Sequence, residues 1–226
     1  MTGLLPLPGE LAGIILLSLF VSGVAILVSM LVGVPVGIFL GLHRFPGRAF
    51  LVTLVNTGMG LPPVVVGLGV FLLLARSGPL GGLDLLYTPW AMVLAQVVIA
   101  TPLVVGITLA AVQGLDERLH LQILSLGAST AQLYVKLVKE ARLSLVAALA
   151  AGFGSIISEV GAVMMVGGNI RGQTRVMTTA IVLETRQGEF GNAILLGTVL
   201  LALALGVNGL FTWVQQRSRA WASSRS

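Results

Sequence analysis

Long apolar runs punctuated by small clusters of charge set the character of this chain. No Asp, Glu, Lys or Arg occurs between Glu10 and Arg44, between Arg48 and Arg76, between Asp84 and Asp116, or between Glu189 and Arg217. Each gap exceeds the roughly 20 apolar residues that carry a helix across a bilayer. A fifth run, over residues 143–166, holds Glu159 as its one charge. The pattern predicts an all-α, polytopic membrane protein of about five transmembrane helices. They fall at residues 11–42, 50–75, 89–113, 143–166 and 190–214, in a single transmembrane domain covering 1–226. The first run would be about 48 Å long as a helix, so it must tilt or begin outside the hydrocarbon core. Thr88-Pro89-Trp90 reads as a helix start: a cap, a proline at the first position and an interfacial aromatic.

The charges between the runs orient the chain. With the N-terminus outside, Arg44, Arg48, Arg118, Lys136, Lys139, Arg142, Arg217, Arg219 and Arg225 lie inside, and Arg76, Arg171, Arg175 and Arg186 lie outside. Cytoplasmic loops collect Lys and Arg, so the split predicts an external N-terminus and a cytoplasmic C-terminus. A sixth span near the N-terminus would reverse that end alone. Residues 1–9 carry no Lys or Arg, and the apolar run after them is too long for a signal-peptide core.

Composition narrows the function. Of 226 residues, 56% are hydrophobic and 9% charged, against about 25% charged in a soluble domain. That excludes an ordinary soluble enzyme. The net charge of +5 comes without a basic stripe interleaved with aromatics, so no nucleic-acid partner is expected. Cysteine is absent, which removes disulfides, thiolate metal sites and cysteine nucleophiles. His43 and His120 have no ligand partners at metal spacing, so no metal is expected. No Gly-x-x-x-x-Gly-Lys-Ser/Thr loop is present, and the two lysines, Lys136 and Lys139, do not follow a glycine-rich turn. The chain is not expected to be an enzyme or to bind ATP.

The stretch 114–142 is the most structured connection. Leu115, Leu119, Ile123 and Leu126 recur at helical spacing, Gly127 interrupts, and Leu133, Tyr134 and Leu137 resume it. Ser129 with Gln132 fits a capping box. The pattern predicts helix, glycine turn and short amphipathic helix on the cytoplasmic face. From pattern alone, that helix could rest on lipid or dock a partner.

Three segments together carry a resemblance. Leu126-Gly127-Ala128-Ser129 and the amphipathic stretch after it look like the cytoplasmic loop of ABC importer permeases. Leu121-Gln122-Ile123 stand where that family has Glu-Ala-Ala, and Lys139-Glu140 where it has Leu-Pro. Gly60-Leu61-Pro62-Pro63-Val64-Val65-Val66-Gly67, continuing to Ser77-Gly78-Pro79-Leu80-Gly81, resembles a core helix of molybdate-type permeases. Ser158-Glu159-Val160-Gly161-Ala162 and Gly167-Gly168-Asn169-Ile170-Arg171-Gly172 resemble their Gly-Glu-Phe-Gly-Ala and Gly-Asn-Ile-Pro-Gly stretches, with Ser158, Val160 and Arg171 as departures. With Lys139-Glu140-Ala141-Arg142, the chain is most similar to the tungstate branch of the tungstate/molybdate/sulfate permeases. The resemblance implies a type I importer permease fold, a homodimer in a prokaryotic inner membrane, and a cytoplasmic ABC ATPase dimer that binds ATP and magnesium. It also implies an extracytoplasmic tungstate-binding protein. Leu126, Gly127, Ala128, Ser129, Thr130 and Gln132 would couple to the ATPase. Molybdate or sulfate is the alternative cargo, and an ATP-independent secondary transporter the alternative class; the sequence offers that class no evident repeat.

The spans also contain breaks and buried polarity. Pro62 and Pro63 remove two backbone donors and would free the carbonyls of Gly58 and Met59. Irregular backbone survives in a bilayer only against protein or a water-filled cavity, so Thr57, Gly58, Pro62 and Pro63 are candidates for a gate on the translocation path. Thr101-Pro102 marks a kink that serves either packing or the path. Ser158 and Glu159 are placed at an outer gate, with Arg171 or Arg175 as the expected partner of Glu159. Asn169, Arg171, Arg175 and Arg186 give the outer loop an anion-friendly character. Gln96 and Asn208 read as helix–helix glue, and Gly33, Gly37 and Gly41 as a close-packing stripe.

Overall fold

A computed structural model describes residues 8–115, 125, 127 and 129–223. Among these residues the secondary structure is helical throughout: α1 (Pro8–Leu42), α2 (Arg48–Met59), α3 (Pro63–Leu74), a 3-10 turn (Gly81–Leu83) and α4 (Pro89–Gln113). There follow α5 (Thr130–Glu140), α6 (Arg142–Ile157), α7 (Gly161–Gly167), α8 (Met177–Arg186) and α9 (Phe190–Ser223). Three stretches, Gly9–Leu42, Pro89–Gln113 and Phe190–Trp213, are long and apolar enough to span a membrane unbroken. Two bent pairs raise the number to as many as five: α2 with α3, bent by 105°, and Gln132–Glu140 with α6, bent by 68°.

Two expected spans are therefore not single helices. The run at 50–75 breaks because Pro62 and Pro63 supply no backbone N–H. The last turn of α2 closes instead through Gly60 N to Thr57 O at 3.0 Å and Leu61 N to Gly58 O at 3.4 Å. The Gly58 carbonyl is thus satisfied after all. Pro62 is extended (φ −61°, ψ 124°) and α3 restarts at Pro63. The run at 143–166 stops at Ile157, passes Ser158–Val160 and resumes as α7. The final helix runs beyond residue 214 to Ser223. At Thr88 the expected start holds: its hydroxyl accepts from Ala91 N, and Pro89 opens α4.

α4 is the central post, packed by α1, α2, α3, α6 and α7. Ala91, Met92, Ala95, Ala100 and Val104 on it are wholly buried. The glycine stripe on α1 lies against it. A Cβ added at Gly37 would fall 2.6 Å from Thr108 Cβ and 2.8 Å from the Val105 carbonyl oxygen; one at Gly33 would fall 2.8 Å from Val104 Cγ1, and one at Gly41 2.7 Å from Val112 Cγ1. Because the Val105 backbone cannot yield as a side chain can, Gly37→Leu should destabilise by about 3 kcal/mol or more. Thermal unfolding in detergent checks this, and an unchanged midpoint would show that α1 and α4 can separate freely. Thr101-Pro102 serves packing: Thr101 Oγ1 bonds to the Val97 carbonyl at 2.7 Å and to Ser29 Oγ at 3.3 Å, and Pro102 rests on Gly58.

Candidate translocation gate and coupling loop

The two helix breaks meet. A Cβ added at Gly161, the first residue of α7, would fall 2.6 Å from Val64 Cγ2, and one at Gly67 would fall 2.6 Å from Ala162 Cα. The restart of α3 after Pro62-Pro63 is therefore in close contact with the restart of α7 after Ser158-Glu159. Glycines at 67 and 161 permit that approach. The sequence placed the break at Pro62-Pro63 but neither the one at Ser158–Val160 nor their contact, which joins residues nearly a hundred positions apart.

Glu159 holds the second break. Its Oε1 accepts the Ala162 N–H at 2.9 Å, capping α7, and its carbonyl accepts from Thr178 Oγ1 at 2.9 Å. The backbone carbonyl thus ties the α6–α7 break to α8, while the carboxylate caps α7 and the residue stays half-buried. Ser158 is exposed, and its hydroxyl donates back to the Gly154 carbonyl at 2.9 Å. α3 has no such side-chain cap, so its positive end is left open.

The arginines of the outer loop turn to Glu10, not to Glu159. Arg171 makes a two-pronged bond to the Glu10 carboxylate, at 2.7 and 2.5 Å, and Arg175 Nη1 approaches it at 3.8 Å. The physical reason lies in the loop itself. Thr174 Oγ1 accepts from Ile170 N at 3.0 Å and donates to the Gly167 carbonyl, and the Ile170 carbonyl gathers three amides, from Gln173, Thr174 and Arg175. That knot directs the arginines toward the first turn of α1, where a cavity of about 420 Å³ lies between them. The hydrogen bond and charge of Glu10 hold the Arg171 guanidinium pKa above its ordinary value. Arg171 is 70% exposed, and exposed pairs contribute little to stability. Glu10→Gln should therefore leave the unfolding midpoint nearly unchanged; a loss of many degrees would make the pair a structural clamp. Asn169 supports the turn, at φ 53°, with Nδ2 donating to the Thr179 carbonyl at 3.5 Å.

On the other side, one face of α5 packs within the chain. Leu133 and Leu137 are buried against Ile38 and Val112 at the ends of α1 and α4, so this face lies on protein and not on lipid. The capping box forms: Ser129 N donates to Gln132 Oε1 at 2.8 Å and Gln132 N to Ser129 Oγ at 3.3 Å. Gly127 is exposed and left-handed, at φ 75°. Thr130 opens α5. Leu126 and Ala128 lie outside the described residues.

The stripe around the candidate Thr57 escaped the sequence reading. α2 buries no residue, and Thr53, Asn56 and Thr57 stand exposed on it at spacings of three and four. Among the described residues, Asn56 has no hydrogen bond from its side chain. An unpaired amide within a spanning segment is costly against lipid, so this stripe needs a water-filled path or a second copy of the chain. The i, i+3, i+4 spacing was the available signal. Glu10, Ser22 and Thr178 were also missed, since nothing in their neighbourhoods marks them. Gln96 does act as glue, Nε2 donating to the Ile156 carbonyl across α4 and α6 at 2.9 Å. Asn208 instead bonds within its own helix, to the Ala204 carbonyl at 2.9 Å.

Known proteins resemble the chain in sequence and in fold. The sequence profile of the binding-protein-dependent transport system inner membrane component family matches residues 33–220. The probable anion ABC transporter permease protein of Haloferax volcanii is 44% identical over 205 residues, covering 88% of each chain. The tungstate uptake system permease protein TupB of Peptoclostridium acidaminophilum is 38% identical over 203 residues, covering 90% of this chain and 89% of that one. The molybdenum transport system permease protein ModB of Escherichia coli K12 is 30% identical over 217 residues, covering 91% and 93%. In fold, the chain matches an inward-facing structure of the MetNI methionine ABC transporter with a TM-score of 0.71 at 19% identity, over 97% of this chain and 99% of that one. The apolar spans, the paired breaks and the capped loop helix are those of a multi-pass inner-membrane permease, and the chain belongs to the family of binding-protein-dependent transport system inner membrane components.

Proposed function

We propose that this chain is the transmembrane subunit of an importer that carries tungstate into the cytoplasm by alternating access, driven by a separate ATPase. Two copies would enclose the path, with the exposed Thr53-Asn56-Thr57 stripe and the Pro62-Pro63 break lining it. Cytoplasmic ATPase subunits, which bind the ATP and magnesium, would dock on the loop at 114–142, and an external binding protein would deliver the anion. The observation that carries the reading is the contact between the two helix restarts. α3 and α7 are short, separately hinged segments, and rigid-body motion of such segments opens and closes a path.

The chemistry of the site favours an oxyanion. The α3 restart has no side-chain cap, so its positive end can face a dianion, whereas the α7 end is already occupied by Glu159. The relatives named for tungstate and for molybdenum make tungstate the first candidate, with molybdate and sulfate behind it. Competition in proteoliposomes holding the chain, its ATPase and its binding protein tests this. Molybdate and sulfate, each in tenfold excess, should leave most labelled tungstate uptake intact. Complete suppression by sulfate would move the reading to the sulfate branch.

A further inference from the structure

Ser18 and Ser22 of α1, Gln96 of α4, Glu159 at the α6–α7 break and Thr178 of α8 surround a cavity of about 10 Å³, which is about the room one water molecule needs. Gln96 is 4% exposed. Its Nε2 donates to the Ile156 carbonyl, and a carbonyl can only accept, so the orientation of the amide is fixed. Its Oε1 is consequently a buried acceptor with no protein partner. Ser18 is fully engaged, donating to the Ile14 carbonyl at 2.7 Å and accepting from Met177 N at 2.9 Å. The Thr178 hydroxyl proton is committed to the Glu159 carbonyl. Ser22 is 2% exposed and, among the described residues, makes no side-chain hydrogen bond.

We propose that this cavity holds one ordered water, which donates to Gln96 Oε1 and to the Glu159 carboxylate and accepts from Ser22 Oγ. Water matches the unmet valences better than a cation does. The residues around the space offer two acceptors, Gln96 Oε1 and the Glu159 carboxylate, and one uncommitted hydroxyl, Ser22, and one water supplies two donors and a lone pair. Two of the five surrounding side chains have already spent their hydroxyl protons on carbonyls, and the Glu159 carboxylate already caps α7. The water joins α1 and α4 to the hinge at Glu159, which makes Gln96 and Ser22 positioning residues for the gate. A hinge held through water can exchange partners as it moves, where a direct side-chain bond would have to break outright. The inference stands whatever anion is carried.

A high-resolution structure of the full chain in lipid nanodiscs should show a density peak within hydrogen-bonding distance of Gln96 Oε1. A thermal double-mutant cycle gives an independent reading. Ser22→Val fills the cavity and should lower the unfolding midpoint by several degrees in the natural chain, because it evicts the water and strands Gln96 Oε1. In a Gln96→Leu background the stranded acceptor is gone, and most of that loss should disappear. Steric crowding by valine would persist there, since leucine occupies a similar volume. A clear map with the cavity empty, an equal loss in both backgrounds, or no loss in either would overturn the proposal.

Discussion

Replacing Pro62 and Pro63 together by alanine is expected to reduce uptake at least tenfold while the protein still inserts and folds. The substitution restores two backbone donors, which can then reach the Gly58 and Met59 carbonyls and continue α2 into α3. An interior proline disfavours a helix by about 3 kcal/mol, so removing both shifts the balance strongly toward a straight segment. A straight segment cannot keep the 105° bend, nor can it keep Val64 and Gly67 against α7. Labelled-anion uptake, read beside ATP hydrolysis by the assembled transporter, is the check. Hydrolysis should persist while uptake fails. Normal uptake by the double variant would remove this break from the gate.

The second large effect is expected at Gly127. Its φ of 75° is a region that a β-branched residue adopts only at a cost of about 1–2 kcal/mol, while an added Cβ would meet nothing within 4 Å among the described residues. The penalty is therefore conformational and local. Gly127→Val should re-aim the turn that leads into the Ser129 cap and uncouple ATP hydrolysis from transport, lowering uptake about tenfold or more with the unfolding midpoint close to that of the natural chain. Gly127→Asn is the control, because asparagine tolerates the left-handed region and should retain most of the coupling. Equal activity of the valine and asparagine variants would take Gly127 out of the coupling mechanism.

How far the sequence could be read depended on the range of the interaction. Features written in neighbouring residues were legible: the apolar runs, the Thr88 start, the Ser129–Gln132 box, and the break at Pro62. The glycine stripe on α1 was legible as a packing surface because its spacing is helical, although its partner on α4 was not. What failed were pairings across the fold. Arg171 or Arg175 was expected to meet Glu159, 12 or 16 positions away in sequence; both turn to Glu10 near the start of the chain instead, because the knot at Ile170 and Thr174 sets their direction. The contact of α3 with α7 and the polar node at Gln96 are likewise products of tertiary packing. The bilayer-scale run at 143–166 concealed a broken helix, since hydropathy measures length and polarity and is blind to the direction of the backbone.

As a gated path without an energy source of its own, the chain should move no anion unaided. Anion uptake into proteoliposomes should be measured with the chain alone under an imposed sodium or proton gradient, and with the chain joined to its ATPase and binding protein in the presence and absence of ATP. Uptake is expected only when all three proteins and ATP are present. Gradient-driven uptake by the chain alone would contradict this.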